Sequence, residues 1–343
     1  MHTTRNVLAR LITGFIVSML TVGLAMGQGT KLAQAGMKFL SVGQFARQGA
    51  LADAFTAGEA YAASMFYNPA GMARLGAFAD ISFGQTQWIA DIKHLYAAVA
   101  ISPFSGDYGV LGIQAQYVDY GTVEHTIRLN SEVGPGYIDL GTIKPYAYMV
   151  GVSYARALTN KFSIGGSVKW VRQDLGEGVI EVDTTFSPSK KIRNSLGVPA
   201  FDFGILYHTG FKSLTFGMTV RNFAREVSYI KENFQLPLAF KMGLTMNALD
   251  LAEIPPDRQS LLLAVDAEHP RDYPEQLKFG AEYSFMNTVD LRIGYVFPAD
   301  EHGVCYGLGL HQQLMGARFS IDYAYTPFGV FTAVHRWSLA FAY

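Results

Sequence analysis

From residue 79 to residue 343 the sequence repeats one pattern: stretches of about ten residues in which every second side chain is apolar and its alternates are glycine, alanine, serine or a charged group. Only extended backbone sends successive side chains to opposite faces, so each stretch reads as a strand with one greasy side. The stretches lie near 79–89, 93–104, 108–119, 143–156, 160–173, 199–211, 213–222, 234–247, 258–269, 275–286, 288–298, 304–313, 316–326 and 332–343. That is about fourteen strands, an even number of the kind that closes a single-chain antiparallel barrel in an outer membrane.

The last strand shows the two faces most clearly. Trp337, Leu339, Phe341 and Tyr343 share one side, and Arg336, Ser338, Ala340 and Ala342 the other. Terminal backbone frays unless it is tied into a sheet, so this end is expected to close the barrel against the first strand, with its apolar side toward lipid. A terminal aromatic strand is also the expected signal for the outer-membrane assembly machinery, carried by Trp337, Leu339, Phe341 and Tyr343.

Composition supports an all-β transmembrane barrel over soluble domains. Only 16 % of residues are charged, against about 25 % in an ordinary soluble domain, while 13 % are aromatic and 35 are glycine. Such a chain cannot cover a water-exposed surface with charge. A soluble sandwich also alternates, but here the non-apolar face is mostly small residues with sparse charge, which suits a filled lumen. The formal net charge of −1 provides no basic field for nucleic acid. The single cysteine, Cys305, excludes an internal disulfide framework and a cysteine-rich metal site.

Residues 1–27 read as a secretory leader: Arg5 and Arg10, an apolar stretch from Leu11 to Met26, and Ala25-Met26-Gly27 at the cleavage site. The stretch is shorter than the ~20 residues of a spanning helix, so a membrane location requires the barrel. The expected place is the outer membrane, as a monomer in contact with its lipid, both mature termini periplasmic. Connection lengths agree, because such barrels alternate short periplasmic turns with longer external loops. The connections at 104–107, 157–160, 210–212, 287 and 314–315 are compact, whereas 120–142 and 174–198 are long and fall on the opposite parity. One connection, 248–257 with Pro255-Pro256, is long where a short turn belongs.

Alternation sorts the wall. Phe203, Ile205, Phe216, Met218, Leu261, Leu263, Phe279, Leu291, Ile293, Phe319 and Ile321 are expected to face lipid. Arg221, Lys241, Asp266, Glu268, Lys278, Glu282, Asp290, Arg292, Arg318, Asp322 and Arg336 are expected to form a polar network inside, pairing opposite charges across neighbouring strands.

Ahead of the barrel (79–343), the segment 28–78 does not alternate. Small residues dominate it, and Asn68-Pro69-Ala70-Gly71 is a turn in which proline fixes one dihedral and Gly71 is free to take a positive one. Too apolar for a tail and too irregular for strands, it is expected to pack in the lumen as a plug; the alternative is a small periplasmic cap.

Three blocks together carry a family resemblance: Tyr67-Asn68-Pro69-Ala70-Gly71-Met72-Ala73; Leu263 to Pro270 with Phe279 to Tyr283 and Leu291 to Tyr295; and Asp322 to Gly329 with His335-Arg336. The chain resembles the PorV/PorQ family, outer-membrane barrels of the FadL type. The resemblance implies fourteen strands, places Asn68, Pro69 and Gly71 in a lumen hatch, and fades over 120–198. It leaves two functional classes. One is an accessory of type IX protein secretion, with secretion components and exported cargo as partners. The other is passive uptake of a hydrophobic small ligand, of the long-chain fatty acid type, past a gating plug. Tyr137, Ile138, Val179, Ile180 and Phe186 in the long loops suit either.

No catalytic, metal or cofactor site is predicted. Asp202-Phe203-Gly204 lacks the phosphate and catalytic loops of a kinase, and Gly307-Leu308-Gly309 lacks the helix and acidic residue of a dinucleotide site. His302 and His311 lack a third ligand. Asp266, Glu268 and His269 form a dense cluster with no nucleophile beside it, and a hydrogen-bond role outweighs acid–base chemistry there.

Overall fold

The computed structural model describes residues 35–128, 136–182, 188–252, 258–299 and 302–343. The leader expected over 1–27, Pro255-Pro256 and Phe186 lie outside them, as do the side chains of Val179 and Ile180. Among the described residues no helix is long and apolar enough to cross a membrane.

The strands are β1 (Ala79–Gln87), β2 (Lys93–Ile101), β3 (Val110–Asp119), β4 (Val123–Arg128), β5 (Tyr137–Ile143), β6 (Tyr146–Ala157), β7 (Phe162–Val182), β8 (Pro188–His208) and β9 (Thr215–Phe223). They continue with β10 (Val227–Ser228), β11 (Asn233–Phe234), β12 (Ala239–Asn247), β13 (Gln259–Pro270), β14 (Gln276–Phe285), β15 (Val289–Phe297), β16 (Val304–Leu314), β17 (Ala317–Phe328) and β18 (Phe331–Ala342). Fourteen of them close an antiparallel barrel in the order β1-β2-β3-β6-β7-β8-β9-β12-β13-β14-β15-β16-β17-β18 and back to β1; β4–β5 and β10–β11 are small separate ladders.

The seam pairs β1 with β18 from Asp80↔Ala342 to Gln87↔His335. Ala79 and Tyr343 exchange both backbone hydrogen bonds at 2.9 Å, so the last residue is tied into the wall. Closure leaves no open edge, which is the condition for strands to lie in hydrocarbon. Phe203, Leu263, Leu291, Ile293, Phe319 and Ile321 are exposed on the outer face, with Ile205, Phe216, Met218, Leu261 and Phe279 partly so.

The connections alternate between a short-turn end, which also holds the start of β1 and the end of β18, and a long-loop end. The turns 286–288 and 315–316 belong to the first; the β4–β5 hairpin and the connection 224–238 belong to the second. Three expectations change. The segment 174–198 is mostly not loop: β7 and β8 continue beyond the barrel, with Glu177↔Arg193 opposed in the ladder, because alternation and opposite charges persist there. The strand expected from 234 starts at Ala239, since Pro237 has no N–H to donate to a ladder. The connection after β12 is long at the short-turn end because it carries a 3-10 turn, Ala248–Ala252; the β12–β13 register, Asn247↔Leu262 to Ala239↔Pro270, is regular.

Residues 36–76 run inside the ring as short pieces: 3-10 turns Lys38–Ser41, Tyr61–Phe66 and Pro69–Met72, and one α-helical stretch, Ala46–Ala50. The helical stretch packs on β15 to β18, Tyr61–Phe66 on β1 to β3, and Pro69–Met72 on β6 to β8. The glycines of the inner wall explain how. A Cβ at Gly165 would lie 2.5 Å from the Ala70 nitrogen, and one at Gly280 would lie 2.9 Å from the Leu51 Cβ. Gly217 meets the backbone of Thr56 and Ala57, Gly294 meets Leu51 and Ala52, and Gly307 meets Ala50 in the same way, whereas Gly243 makes room for the Asp266 carboxylate that holds the plug. The plug backbone therefore rests directly on the wall, at positions where any side chain would displace it.

Candidate functional site

The turn at Asn68 fixes the plug to β8. Asn68 is buried; its Oδ1 accepts from the Ala70 N–H at 3.1 Å, and its Nδ2 donates to the carbonyls of Thr56 at 2.7 Å and Ile205 at 3.0 Å. It acts as an N-cap with Pro69 at the first helical position, where proline's missing N–H costs nothing. Gly71 departs from expectation. It has no positive φ; it is small because a Cβ would sit 2.5 Å from the Ser64 Oγ and 3.0 Å from the Gly58 carbonyl.

Two ionic clusters bind plug to wall. In the first, Arg47 of the helical stretch donates Nε and Nη2 to Glu282 at 2.8 and 2.7 Å. Arg292, with a fully buried side chain, donates to Glu282 at 2.5 Å, to Asp322 at 2.6 Å and to Asp290, which His311 Nε2 approaches at 2.6 Å. Asp290, His311 and Asp322 present ligand atoms within 4.8 Å of one another. Arg292 already serves both carboxylates, so the cation at that point is the guanidinium.

In the second cluster one carboxylate, Glu268, holds two ammoniums, Lys241 at 2.9 Å and Lys278 at 2.5 Å. Asp266 beside it accepts from the plug N–H groups of Phe55 at 3.0 Å and Thr56 at 2.9 Å. Arg336 donates to the Gly43 carbonyl at 3.2 Å and the Thr326 hydroxyl at 2.9 Å, and lies over the Trp88 ring.

The expected lumen residues thus separate. Lys241↔Glu268 and Glu282↔Arg292 are direct cross-strand partners, as alternation requires. Arg318 is not in either cluster: it is exposed at the short-turn mouth, with its guanidinium 5.2 Å from the centre of the Tyr61 ring. It stands one residue into β17, in the row of the buried Asp80 two strands away, with which it shares the short-turn cavity. Arg221 points inward as alternation places it, in the row of Thr219 and Lys241, and its Nε is buried without a hydrogen-bond partner; the bulge that follows at Asn222, with φ 60°, breaks the β8–β9 register and turns Asn222 inward and Phe223 outward. His269 points outward to Glu275 at 2.9 Å, so Asp266, Glu268 and His269 do not converge. His302 stacks on Phe328 at the long-loop end, apart from His311.

Sequence reading missed Arg47, and it missed the buried pair of Lys169 with Asp202, 2.8 Å, which Asn222 joins at 2.7 Å. Alternation places Lys169 and Asp202 inside; Arg47 lies in non-alternating chain and gave no such signal.

Two cavities flank the helical stretch. The larger, about 580 Å³, is a vestibule at the long-loop end between the plug residues Lys38 to Asp53 and the ends of β9 and β12 to β18. The smaller, about 160 Å³, lies at the short-turn end and includes Arg47, Gln48, Tyr61, His311 and Arg318.

Solved structures with this fold include the CymD monoaromatic hydrocarbon channel, with a TM-score of 0.57, 11 % identity, and coverage of 88 % of this chain and 98 % of that one. The Ralstonia pickettii toluene transporter TbuX gives 0.52 at 13 % identity, covering 87 % and 98 %. A Pseudomonas aeruginosa FadL homologue gives 0.52 at 11 %, covering 88 % and 98 %. At such identities the likeness is one of fold, an all-β closed barrel with FadL-like neighbours. No curated protein matches the sequence. The model of the type IX secretion system membrane protein PorP/SprF matches residues 139–343, from within β5 through β18. This agrees with the sequence resemblance at the level of a type IX outer-membrane barrel, although the matching model is that of PorP/SprF and not of PorV/PorQ. With more than half of its length matched, the chain belongs to the PorP/SprF family of type IX secretion outer-membrane proteins.

Proposed function

We propose that the protein is a non-enzymatic accessory of type IX secretion, with a PorV/PorQ-like role in which its long-loop end engages exported cargo. The observation that carries this reading is the family match. The lumen supports it physically: wall glycines, Asn68, Asp266 and the Arg47–Glu282 pair hold the plug at many points around the ring. A lumen filled in this way suits docking better than passage of a folded chain. In the proposed orientation a cleaved leader directs export and both mature termini face the periplasm. The β4–β5 hairpin, the β7–β8 extension and the vestibule then face outward, and the assembly machinery reads the terminal strand. The barrel acts as a monomer among outer-membrane lipids.

Deleting the gene in its host tests this. Exported proteins bearing the type IX C-terminal sorting domain should accumulate in the periplasm and return to the surface on complementation; unchanged export would overturn the reading. A second reading, passive carriage of a hydrophobic small molecule, draws on the vestibule and the FadL-like fold. It requires uptake of toluene or oleate to fall in the same deletion strain.

A further inference from the structure

The vestibule carries more positive than negative charge among its described residues. Five cations line it, Lys38, Arg221, Lys241, Lys278 and Arg336, against the three carboxylates of Asp53, Glu268 and Asp272. Lys38 is committed to Asp272, and both Lys241 and Lys278 depend on Glu268. Among the described residues Arg336 has neutral acceptors, the Gly43 carbonyl and the Thr326 hydroxyl. Arg221 has no carboxylate partner among the described residues, and its buried Nε has no acceptor. A half-buried guanidinium beside two ammoniums that share one acid is unfavourable until an anion joins it. A carboxylate fits best, because it matches the flat fork of Arg221 with two parallel hydrogen bonds.

The rest of the cavity defines what carries that carboxylate. Its volume of about 580 Å³ is within the usual range for a bound small ligand or short segment. Trp88, Tyr273, Phe328 and Phe331 line its rim, so the groups next to the carboxylate are apolar. Asp53 adds a carboxylate acceptor, which suits a peptide N–H group and has no counterpart to meet on an alkyl chain. The helical stretch, with Gly49 in the vestibule and Arg47 and Gln48 in the smaller cavity, forms the floor.

We infer that the vestibule captures an acidic, partly apolar, extended peptide segment of an exported protein, with Arg221, Lys241 and Lys278 holding its carboxylate and the aromatic rim holding the neighbouring side chains. This rests on the secretion reading and adds to it the chemistry of the docked segment.

Fluorescence anisotropy on the purified full-length barrel tests it, with the labelled hexapeptide Ser-Gly-Leu-Asp-Val-Asp as probe. The peptide with asparagine in place of aspartate and an amidated end should bind at least about tenfold more weakly, the loss expected for a charge-assisted hydrogen bond. The two changes made singly tell a side-chain carboxylate from a terminal one. Arg221→Gln should weaken the acidic peptide by a similar factor, and Arg221→Lys, which keeps the charge but loses the fork, should recover only part of it, with both variants keeping the heat-modifiable gel mobility of a folded barrel. Equal binding of the neutral peptide, or unchanged affinity in Arg221→Gln, overturns the inference. Binding of oleate but of no peptide overturns it in favour of a small carboxylate. Failure here while gene deletion still blocks export would remove the vestibule's role and leave the secretion reading standing.

Discussion

Arg47 of the plug and Glu282 of β14 form a two-pronged ion pair, Nε to Oε2 at 2.8 Å and Nη2 to Oε1 at 2.7 Å. Glu282 simultaneously accepts from Arg292, its cross-strand partner. The helical stretch is thereby attached to a wall charge that is itself held in place.

Arg47→Ala should loosen the plug without preventing barrel closure. Removing one partner of a buried pair costs about 3–5 kcal/mol, and the low end applies because Glu282 keeps Arg292. Limited proteolysis in detergent should cut within 36–76 several times faster than in the wild type, and planar bilayers should show current flickers that the wild type lacks. An unchanged digestion pattern would show that glycine packing alone retains the plug.

Gly165→Val should be far more damaging than its distance from the clusters suggests. The new side chain would meet Ala70 and Pro69 backbone at contact distances that neither can relieve, since Asn68 holds the turn. Overpacking of this kind costs about 1–3 kcal/mol or more. Expulsion of the plug, read as protease sensitivity, or loss of folded barrel are the expected results. Gly76→Ala is the control, with open space around it.

Removing Phe341 to Tyr343 should abolish membrane assembly. These residues supply the seam rungs at Ile81 and Asp80 and the paired bonds between Ala79 and Tyr343. Their loss frees polar backbone at the short-turn edge, each group costing several kcal/mol in lipid. Normal yield of heat-modifiable barrel from the truncated chain would contradict this.

Above the wall, Gln173 of β7 joins two connections: its Nε2 donates to the Tyr120 hydroxyl and its Oε1 accepts from the Tyr229 hydroxyl, both at 2.9 Å. Burial pushes each phenol up to about 12. Both are above the unfolded value near 10, so their contribution is complete below about pH 10 and is lost as pH rises toward 12. Gln173→Ala should speed hydrogen exchange over 120–128 and 227–234, leaving the barrel strands unchanged; equal exchange would remove this role from the relay.

The barrel itself was legible in the sequence because period-two alternation is a local property: each strand shows its lipid face residue by residue, as Leu291, Ile293 and Tyr295 do on β15. Inward placement of Lys241, Glu268, Glu282 and Arg292 followed from the same parity, and cross-strand register then paired them. What alternation could not determine was decided by contacts between distant parts of the chain. Arg47 reaches Glu282 across 235 residues; Gly71 is required by the approach of Ser64 and Gly58 and not by its own dihedral; and a bulge at Asn222 turns that side chain inward, onto Lys169, and Phe223 outward against the parity of the strand. The glycines of the inner wall carry both kinds of information. Their spacing marked a face with little to bury, and only the folded chain shows that the plug backbone fills the space they leave.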